Sequence, residues 1–340
     1  MSPESAPRFR VLLTDEILPE GLQILRGCAA LEIDLRAGIG ATELKSIIGE
    51  YDALIVRSRT MVTADLLEAA GRLKVLGRAG VGVDNIDVSA ASCRGVVVLN
   101  ATGGNVVSVA EHTLALILAL VRHIAQADAS LKRGAWERSR FRGIALSGKK
   151  LGLLGAGRIG SEVARRARAF GMRVVAYDPY LSPERAEQLG IELVTLASLL
   201  READVVSVHV PLTEETRGLI GARELVLMKP TAYLVNAARG GIVDEKALAE
   251  ALKAGALGGA ALDVFEKEPV PADHPLLKLE NVLAVPHLGA ATQEAQTSVA
   301  IEICEAVRDA LVSGDLRGAV NLAEIQALKS LDPRAPPRRG

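Results

Sequence analysis

The chain has 340 residues, 40 basic against 41 acidic, for a formal net charge of −1, a balance that argues against a polyanion-binding surface and any nucleic-acid partner. Hydrophobic residues make up 49% and aromatic ones only 3%, which suits an α/β core and leaves no stacking platform for single-stranded nucleic acid. The length is generous for one core and comfortable for two domains.

The lead MSPESAPRFR has no apolar signal core and reads as a short disordered segment. From Phe9 onward, short apolar runs alternate with helical periodicity. Strands are predicted at Val11–Leu13, Leu31–Leu35, Ala53–Val56, Val75–Gly77 and Val96–Leu99, with helices near Glu20–Arg26, Thr42–Ile48 and Ala64–Ala70. Such alternation predicts a doubly wound parallel sheet covered on both faces. This unit lacks a glycine fingerprint for a dinucleotide. Its Arg57-Ser58-Arg59 and Arg78-Ala79-Gly80 loops fall just beyond strand ends, where open α/β sheets bind ligands.

Residues 104–133 read as one long helix, apolar through most of 106–121 and long enough to bridge two domains. The longest apolar run, Leu114–Val121, is too short to cross a bilayer, so a cytoplasmic protein without a membrane partner is expected. Trp136, the only tryptophan, stands among arginines and reads equally as a packing residue or as an anchor in a subunit interface. Cys28, Cys93 and Cys304 fall in no metal-ligand pattern, so buried thiols in a reducing compartment are expected and no metal.

Residues 151–178 organise the rest. An apolar strand, Leu151–Leu154, feeds into Gly155-Ala156-Gly157-Arg158-Ile159-Gly160. Val163, Ala164, Ala167 and Phe170 then recur at helical spacing, and a second strand, Arg173–Tyr177, ends on Asp178. Gly155 permits the tight turn, Gly157 lets the backbone approach a pyrophosphate, and Gly160 lets helix and strand pack closely. The helix N-terminus offers unpaired N–H groups and the positive end of its dipole to the phosphates. Asp178 accepts from an adenosine ribose. Pro179, Tyr180 and Leu181 supply no arginine for a 2′-phosphate, so the cofactor expected is NAD rather than NADP.

Strands at Val205–Val208, Tyr233–Val235, Gly259–Leu262 and Val282–Val285, with helices at Ala222–Met228 and Glu245–Lys253, complete a second parallel sheet of about six strands. A closing helix is predicted over Ala290–Val312, and the Pro- and Arg-rich tail from Ser330 is expected to be disordered. Three segments follow strands of this sheet and therefore point to the edge that carries the glycine turn: 235–241 with Arg239, 263–269 with Glu268, and 286–290 with His287. Arg239 presents a planar fork for a carboxylate and an adjacent carbonyl. His287 moves a proton near neutral pH, and Glu268 orients its ring and favours its charged form. Of the other histidines, His209 ends a strand and is expected to flank the cofactor. His112 and His123 on the long helix and His274 in a loop read as structural or solvated.

Five ordered segments, LGRAGVGVDN (76–85), LGLLGAGRIG (151–160), NAARGGIVDE (236–245), ALDVFEKEP (261–269) and PHLGA (286–290), together resemble the D-isomer-specific 2-hydroxyacid dehydrogenases over about residues 9–322. The resemblance implies an α/β protein of two doubly wound parallel-sheet domains. One is a Rossmann NAD domain over 103–286, the other a flavodoxin-like, discontinuous substrate domain over 1–102 and 287–340. It implies Arg239, Glu268 and His287 as the catalytic trio. Cofactor contacts are implied from Gly155, Gly157, Arg158, Ile159, Gly160, Asp178, Pro179, His209, Val210, Pro211, Ala237, Ala238, Arg239, Asp263, His287, Gly289 and Ala290. Substrate contacts are expected from Arg57, Ser58, Arg78, Gly80, Val81, Arg239 and His287, with Arg57 and Arg78 as candidate ligands of a substrate phosphate against the alternative of ordinary surface arginine pairing.

The likeness is strongest to members that oxidise 3-phospho-D-glycerate to 3-phosphohydroxypyruvate, the first step of serine biosynthesis, and it implies a homodimer. The alternatives are a glyoxylate or hydroxypyruvate reductase and, from another class, an NAD-sensing corepressor-like binding protein, which the scarcity of aromatic residues disfavours. Many such members continue into a regulatory domain that binds serine. This chain ends at Gly340, so serine feedback is not expected unless the sequence is a piece of a longer chain.

Overall fold

A computed structural model describes residues 9–331. Two compact units divide the chain after Asn105 and again after Thr292. The first opens with β1 (Phe9–Leu13), α1 (Pro19–Arg26), β2 (Leu31–Leu35), α2 (Ala41–Ile47), β3 (Ala53–Val56), α3 (Ala64–Ala69), β4 (Val75–Arg78), α4 (Val88–Cys93) and β5 (Val97–Asn100). The second runs through α5 (Val106–Val121), α6 (Ile124–Lys132), β6 (Lys150–Leu154), α7 (Arg158–Ala169), β7 (Arg173–Tyr177), α8 (Pro183–Leu189), β8 (Glu192–Leu193), α9 (Leu196–Glu202), β9 (Val205–Val208), α10 (Ala222–Leu225), β10 (Tyr233–Asn236), α11 (Glu245–Lys253), β11 (Gly259–Leu262) and β12 (Val282–Ala284). The chain then returns to the first unit with α12 (Gln293–Val312) and α13 (Leu322–Leu331).

In the first unit five parallel strands stand in the order β2-β1-β3-β4-β5, the flavodoxin-like order. Val11 to Leu13 and Ala53 to Val56 are completely buried, as strands covered on both faces must be. One face packs against Ile303, Cys304 and Val307 of α12, the other against Leu44, Leu66, Leu67 and Ala91 of α2 to α4. The Thr63 and Asp87 side chains cap α3 and α4 by accepting the N–H of Leu66 and Ala90. At the β5 edge the buried Asn321 side chain replaces a neighbouring strand. Its Oδ1 accepts the Val98 N–H at 2.9 Å and its Nδ2 donates to the Val96 carbonyl at 2.9 Å.

In the second unit seven parallel strands stand in the order β12-β11-β10-β9-β6-β7-β8, the Rossmann arrangement, with the order reversing between β6 and β9. Leu154, Tyr177, Val208, Asn236, Leu262 and Ala284 are linked through successive pairings, so the residues that follow them share one sheet edge.

Several expectations need correction. The predicted long helix over 104–133 is two helices. His123 adopts a left-handed backbone at φ 54, and the axes of α5 and α6 differ by 61°. Apolar periodicity runs unbroken through that point and carries no sign of the turn. The sheet has seven strands rather than about six, the addition being β8, which is two residues long. The closing helix starts at Gln293 rather than Ala290. The compact units divide at 105/106 and 292/293. Residues 287–292 stay with the second unit because the Ser108 hydroxyl donates to the Gly289 carbonyl at 2.7 Å and accepts from Thr292 at 3.2 Å. Of the expected disordered ends, Phe9, Arg10, Ser330 and Leu331 belong to β1 and α13, and the remainder lies outside the described residues.

No single helix among the described residues is long and apolar enough to cross a membrane. Trp136 is 82% exposed, so it is not a packing residue within this chain.

Candidate active site

The glycine turn stands at the switch point of the larger sheet. Gly155 has φ +88, and a Cβ there would lie 2.9 Å from the Val210 side chain and 3.0 Å from the His209 carbonyl. At Gly160 a Cβ would meet the Gly155 carbonyl at 2.4 Å, whereas at Gly157 it would meet nothing within 4 Å. Two glycines are thus required by contacts inside the chain, and the third keeps a surface clear. No side chain caps α7 at Gly157, and the helix begins beside that open surface.

Asp178 closes the turn. Its Oδ2 accepts the Ala156 N–H and its Oδ1 the Tyr180 N–H, both at 2.9 Å, and each oxygen keeps a lone pair for a ribose hydroxyl. The donors, the open backbone and the acid therefore fit an adenine dinucleotide. His209, half-buried at the end of β9, is enclosed deeply enough that desolvation pushes its pKa down to about 4, and its Nε2 lies 2.9 Å from Ser207 Oγ. It stands as a neutral ring beside Gly155 and Gly160.

The loops after β10 and β11 press together, since a Cβ on Gly240 would fall 2.0 Å from the Phe265 carbonyl. Asn236, whose role sequence reasoning missed, braces the first loop. Its Nδ2 donates to the Arg239 carbonyl at 2.8 Å and its Oδ1 accepts the Ala238 N–H at 3.1 Å. The Arg239 guanidinium touches the Ala238 carbonyl and lies near enough to His287 for its charge to oppose protonation of the imidazole.

Glu268 takes the Phe265 N–H on Oε1 at 3.1 Å and faces His287 Nδ1 with Oε2 at 2.7 Å. That hydrogen bond raises the His287 pKa. Burial and Arg239 oppose the rise, and the charges of Glu268 and Asp263 support it. Glu268 is lowered in turn: burial and the charge of Asp263 push it up, and the His287 contact and the Phe265 N–H outweigh them. With Nδ1 engaged, Nε2 is the ring nitrogen left for substrate.

His287 has φ 53, a left-handed conformation a non-glycine residue holds only when its surroundings fix it. Asp263, 1% exposed, does much of the fixing. Its backbone carbonyl accepts the His287 N–H at 2.9 Å, Oδ1 the Leu288 N–H at 2.6 Å and Oδ2 the Gly289 N–H at 2.9 Å.

Gly155, Gly157, Arg158, Ile159, Gly160, Asp178, Pro179, His209, Val210, Pro211, Ala237, Ala238, Arg239, Asp263, Glu268, His287, Gly289 and Ala290 all belong to the second unit, on loops or helix starts that follow its strands. Arg57, Ser58, Arg78, Gly80 and Val81 belong to the first, at the ends of β3 and β4. There Asp15 accepts the Arg57 N–H at 2.9 Å and Asn85 donates to the Arg57 carbonyl at 2.8 Å, which sets the backbone while the Arg57 side chain stays exposed. Arg59 is instead tied to Asp15 at 3.2 Å and to the Thr14 carbonyl at 2.9 Å. The Arg78 guanidinium lies over Gly80, where a Cβ would come within 1.5 Å of it. No group of three or more His, Cys, Asp or Glu side chains among the described residues is placed to hold a metal.

Residues 114–289 match the family model described as the D-isomer specific 2-hydroxyacid dehydrogenase, NAD binding domain. The chain belongs to this family. Residues 114–289 are accordingly its NAD-binding domain, and the Rossmann sheet described above is that domain's frame. A D-3-phosphoglycerate dehydrogenase of Archaeoglobus fulgidus is 51% identical over 318 residues, which is 94% of this chain and 60% of the relative, so the chain spans about three fifths of that protein's length. Among solved structures, the TT0316 protein of Thermus thermophilus superposes with a TM-score of 0.84 at 38% identity, covering 92% of this chain and 99% of the other. A glyoxylate reductase from Paecilomyes thermophila does so with a TM-score of 0.85 at 30% identity, covering 93% and 99%.

Proposed function

We propose that the chain oxidises 3-phospho-D-glycerate to 3-phosphohydroxypyruvate, reversibly, with NAD. The observation that carries this is the His287–Glu268 contact of 2.7 Å, within reach of the Arg239 charge and on the sheet edge that bears the glycine turn. The relatives that share about half of its residues are named for this reaction.

Bound NAD supplies the acceptor for the hydride that leaves C2. Gly157 and the N–H groups of Arg158 and Ile159 hold its pyrophosphate and Asp178 its ribose. His209, Val210, Pro211, Ala237, Ala238, Asp263, Gly289 and Ala290 line its course. Arg239 binds the C1 carboxylate and the C2 oxygen through its planar fork. His287 Nε2 takes the proton of the C2 hydroxyl during oxidation and returns it during reduction, while Glu268 stabilises the imidazolium. From the first unit, Ser58, Gly80 and Val81 serve the substrate, and Arg57 and Arg78 the phosphate. The same reading takes the protein as a cytoplasmic homodimer. The thiols Cys28, Cys93 and Cys304 are free but not all buried as expected, since Cys93 is exposed and Cys28 half-buried; free thiols suit a reducing compartment, and exposed Trp136 suits a subunit interface.

The likeness to a glyoxylate reductase keeps one second reading in play, an enzyme for unphosphorylated acids. Comparing kcat/KM for phosphohydroxypyruvate and hydroxypyruvate, by absorbance of the reduced nicotinamide, tests the two. A preference for the phosphorylated acid of about a hundredfold or more is expected, as two charge-assisted hydrogen bonds would give. Equal values would transfer the function to the second reading.

A further inference from the structure

We propose that His112, on α5, is a positioning residue for His287: through the Asp263 carboxylate it fixes the backbone of residues 287–289 and hence the direction of the imidazole. This rests on His287 being the proton-transfer group. His112 Nε2 lies 3.2 Å from Asp263 Oδ1, a polar contact rather than a well-aligned hydrogen bond, with the two side chains 19% and 1% exposed.

A carboxylate so enclosed keeps its charge only if donors surround it. Asp263 is supplied from two sides. The Leu288 and Gly289 N–H groups come from the histidine loop, and His112 comes from behind, on a helix belonging to the same unit. Burial pushes the Asp263 pKa up, yet it settles below the usual carboxylate range because the His112 contact, the two N–H donors and the charge of His112 together prevail. One turn before His112, Ser108 donates to the Gly289 carbonyl at 2.7 Å. Side chains at i and i+4 share a helix face, so α5 grips the loop with two neighbouring residues. Ser108 holds a carbonyl of the loop, and His112 steadies the anion that holds its amides.

Among the described residues, the charged groups that act most on His287 are Glu268 and Asp263, which raise its pKa, and Arg239, which lowers it. Loss of the His112 contact weakens the hold of Asp263 on the loop and relaxes the left-handed backbone at His287. The imidazole then departs from Glu268. The effect is therefore on alignment and on the His287 titration, not on the bulk of the fold.

The test uses the full chain without cofactor, comparing wild type with His112→Leu, which removes the donor at similar volume, and His112→Gln, which keeps one. Imidazole resonances report the His287 titration midpoint, and amide exchange reports Leu288 and Gly289. In His112→Leu the midpoint should fall and exchange at both amides should quicken by about tenfold or more, the equivalent of one lost contact. His112→Gln should stay within about threefold of wild type in exchange. In turnover, His112→Leu should lower kcat by roughly 10- to 100-fold, with KM for the hydroxy acid moved much less, as misalignment of a catalytic group does.

Wild-type exchange and midpoint in a folded His112→Leu would overturn the proposal. Should that variant not fold, His112→Gln decides, with near-native exchange and kcat supporting a donor role and a large loss of both sinking it. A chain with no dehydrogenase turnover at all would remove the functional reading, and the cofactor-free titration would still judge the coupling of His112 to His287.

Discussion

His287 Nδ1 lies 2.7 Å from Glu268 Oε2, and the two groups move each other's titration in opposite directions, the imidazole up and the carboxyl down. On the proposed mechanism oxidation needs His287 neutral, so its kcat/KM falls as pH drops through the His287 pKa. Reduction needs the imidazolium and falls as pH rises through it. In Glu268→Gln the amide cannot stabilise the imidazolium, and both limbs should move toward acid by up to about one pH unit, since half-exposed pairs are partly screened. Rates measured in both directions across pH would show this. An unmoved profile removes the pair from proton transfer.

The glycines of the turn separate fold from binding. Gly157→Ala adds a methyl where nothing lies within 4 Å, so thermal stability should be unchanged while NAD affinity falls about tenfold or more. Gly160→Ala sets a methyl 2.4 Å from the Gly155 carbonyl and should cost about 1–3 kcal/mol of stability, read by chemical denaturation. A destabilised Gly157→Ala with native NAD affinity would contradict the assignment of that surface.

In the first unit two neighbouring arginines should behave differently. Arg57 has its backbone held by Asp15 and Asn85 and its side chain exposed, so Arg57→Glu should raise KM for the phosphorylated acid by about tenfold or more, the worth of one charge-assisted hydrogen bond. The effect on the unphosphorylated acid should be smaller. Arg59 is committed to Asp15 and Thr14, so Arg59→Ala should cost about 1 kcal/mol of stability and spare the preference between the two acids. Reversed behaviour of the two variants would move the phosphate ligand to Arg59.

Much of this was legible in the sequence because its signals are local. Parallel strands buried on both faces are continuous apolar runs, and Leu151–Leu154, Val205–Val208 and Gly259–Leu262 read as such. That the segments carrying Arg239, Glu268 and His287 share one sheet edge follows from their lying just after parallel strands. What sequence could not give depends on tertiary neighbours. The break at His123 is a backbone conformation within an unbroken apolar pattern, and β8 is too short for any period. Asn321 and His112 have partners across the fold, so a polar residue met in sequence gave no sign of what it holds, whereas Asn236 braces backbone only two and three residues further on. His112 reads only as a structural or solvated helix residue until Asp263, far along the chain, is brought beside it.

His209 gives a prediction about stability. Its folded pKa is pushed down to about 4 by burial, from an ordinary value of 6.5. Between those values the unfolded chain binds a proton that the folded chain refuses, so stability rises with pH across the window and is lost as pH falls through it. The depressed pKa should cost the fold about 3 kcal/mol on going from pH 7 to pH 4, on top of whatever the carboxylates contribute. His209→Gln, which keeps a polar partner for Ser207 without a titrating ring, should unfold less steeply with acid over that range than wild type. Denaturation midpoints at successive pH values measure the difference. Parallel curves for the two proteins would mean that the ring is protonated in the folded state and that His209 does not stand neutral beside the glycine turn.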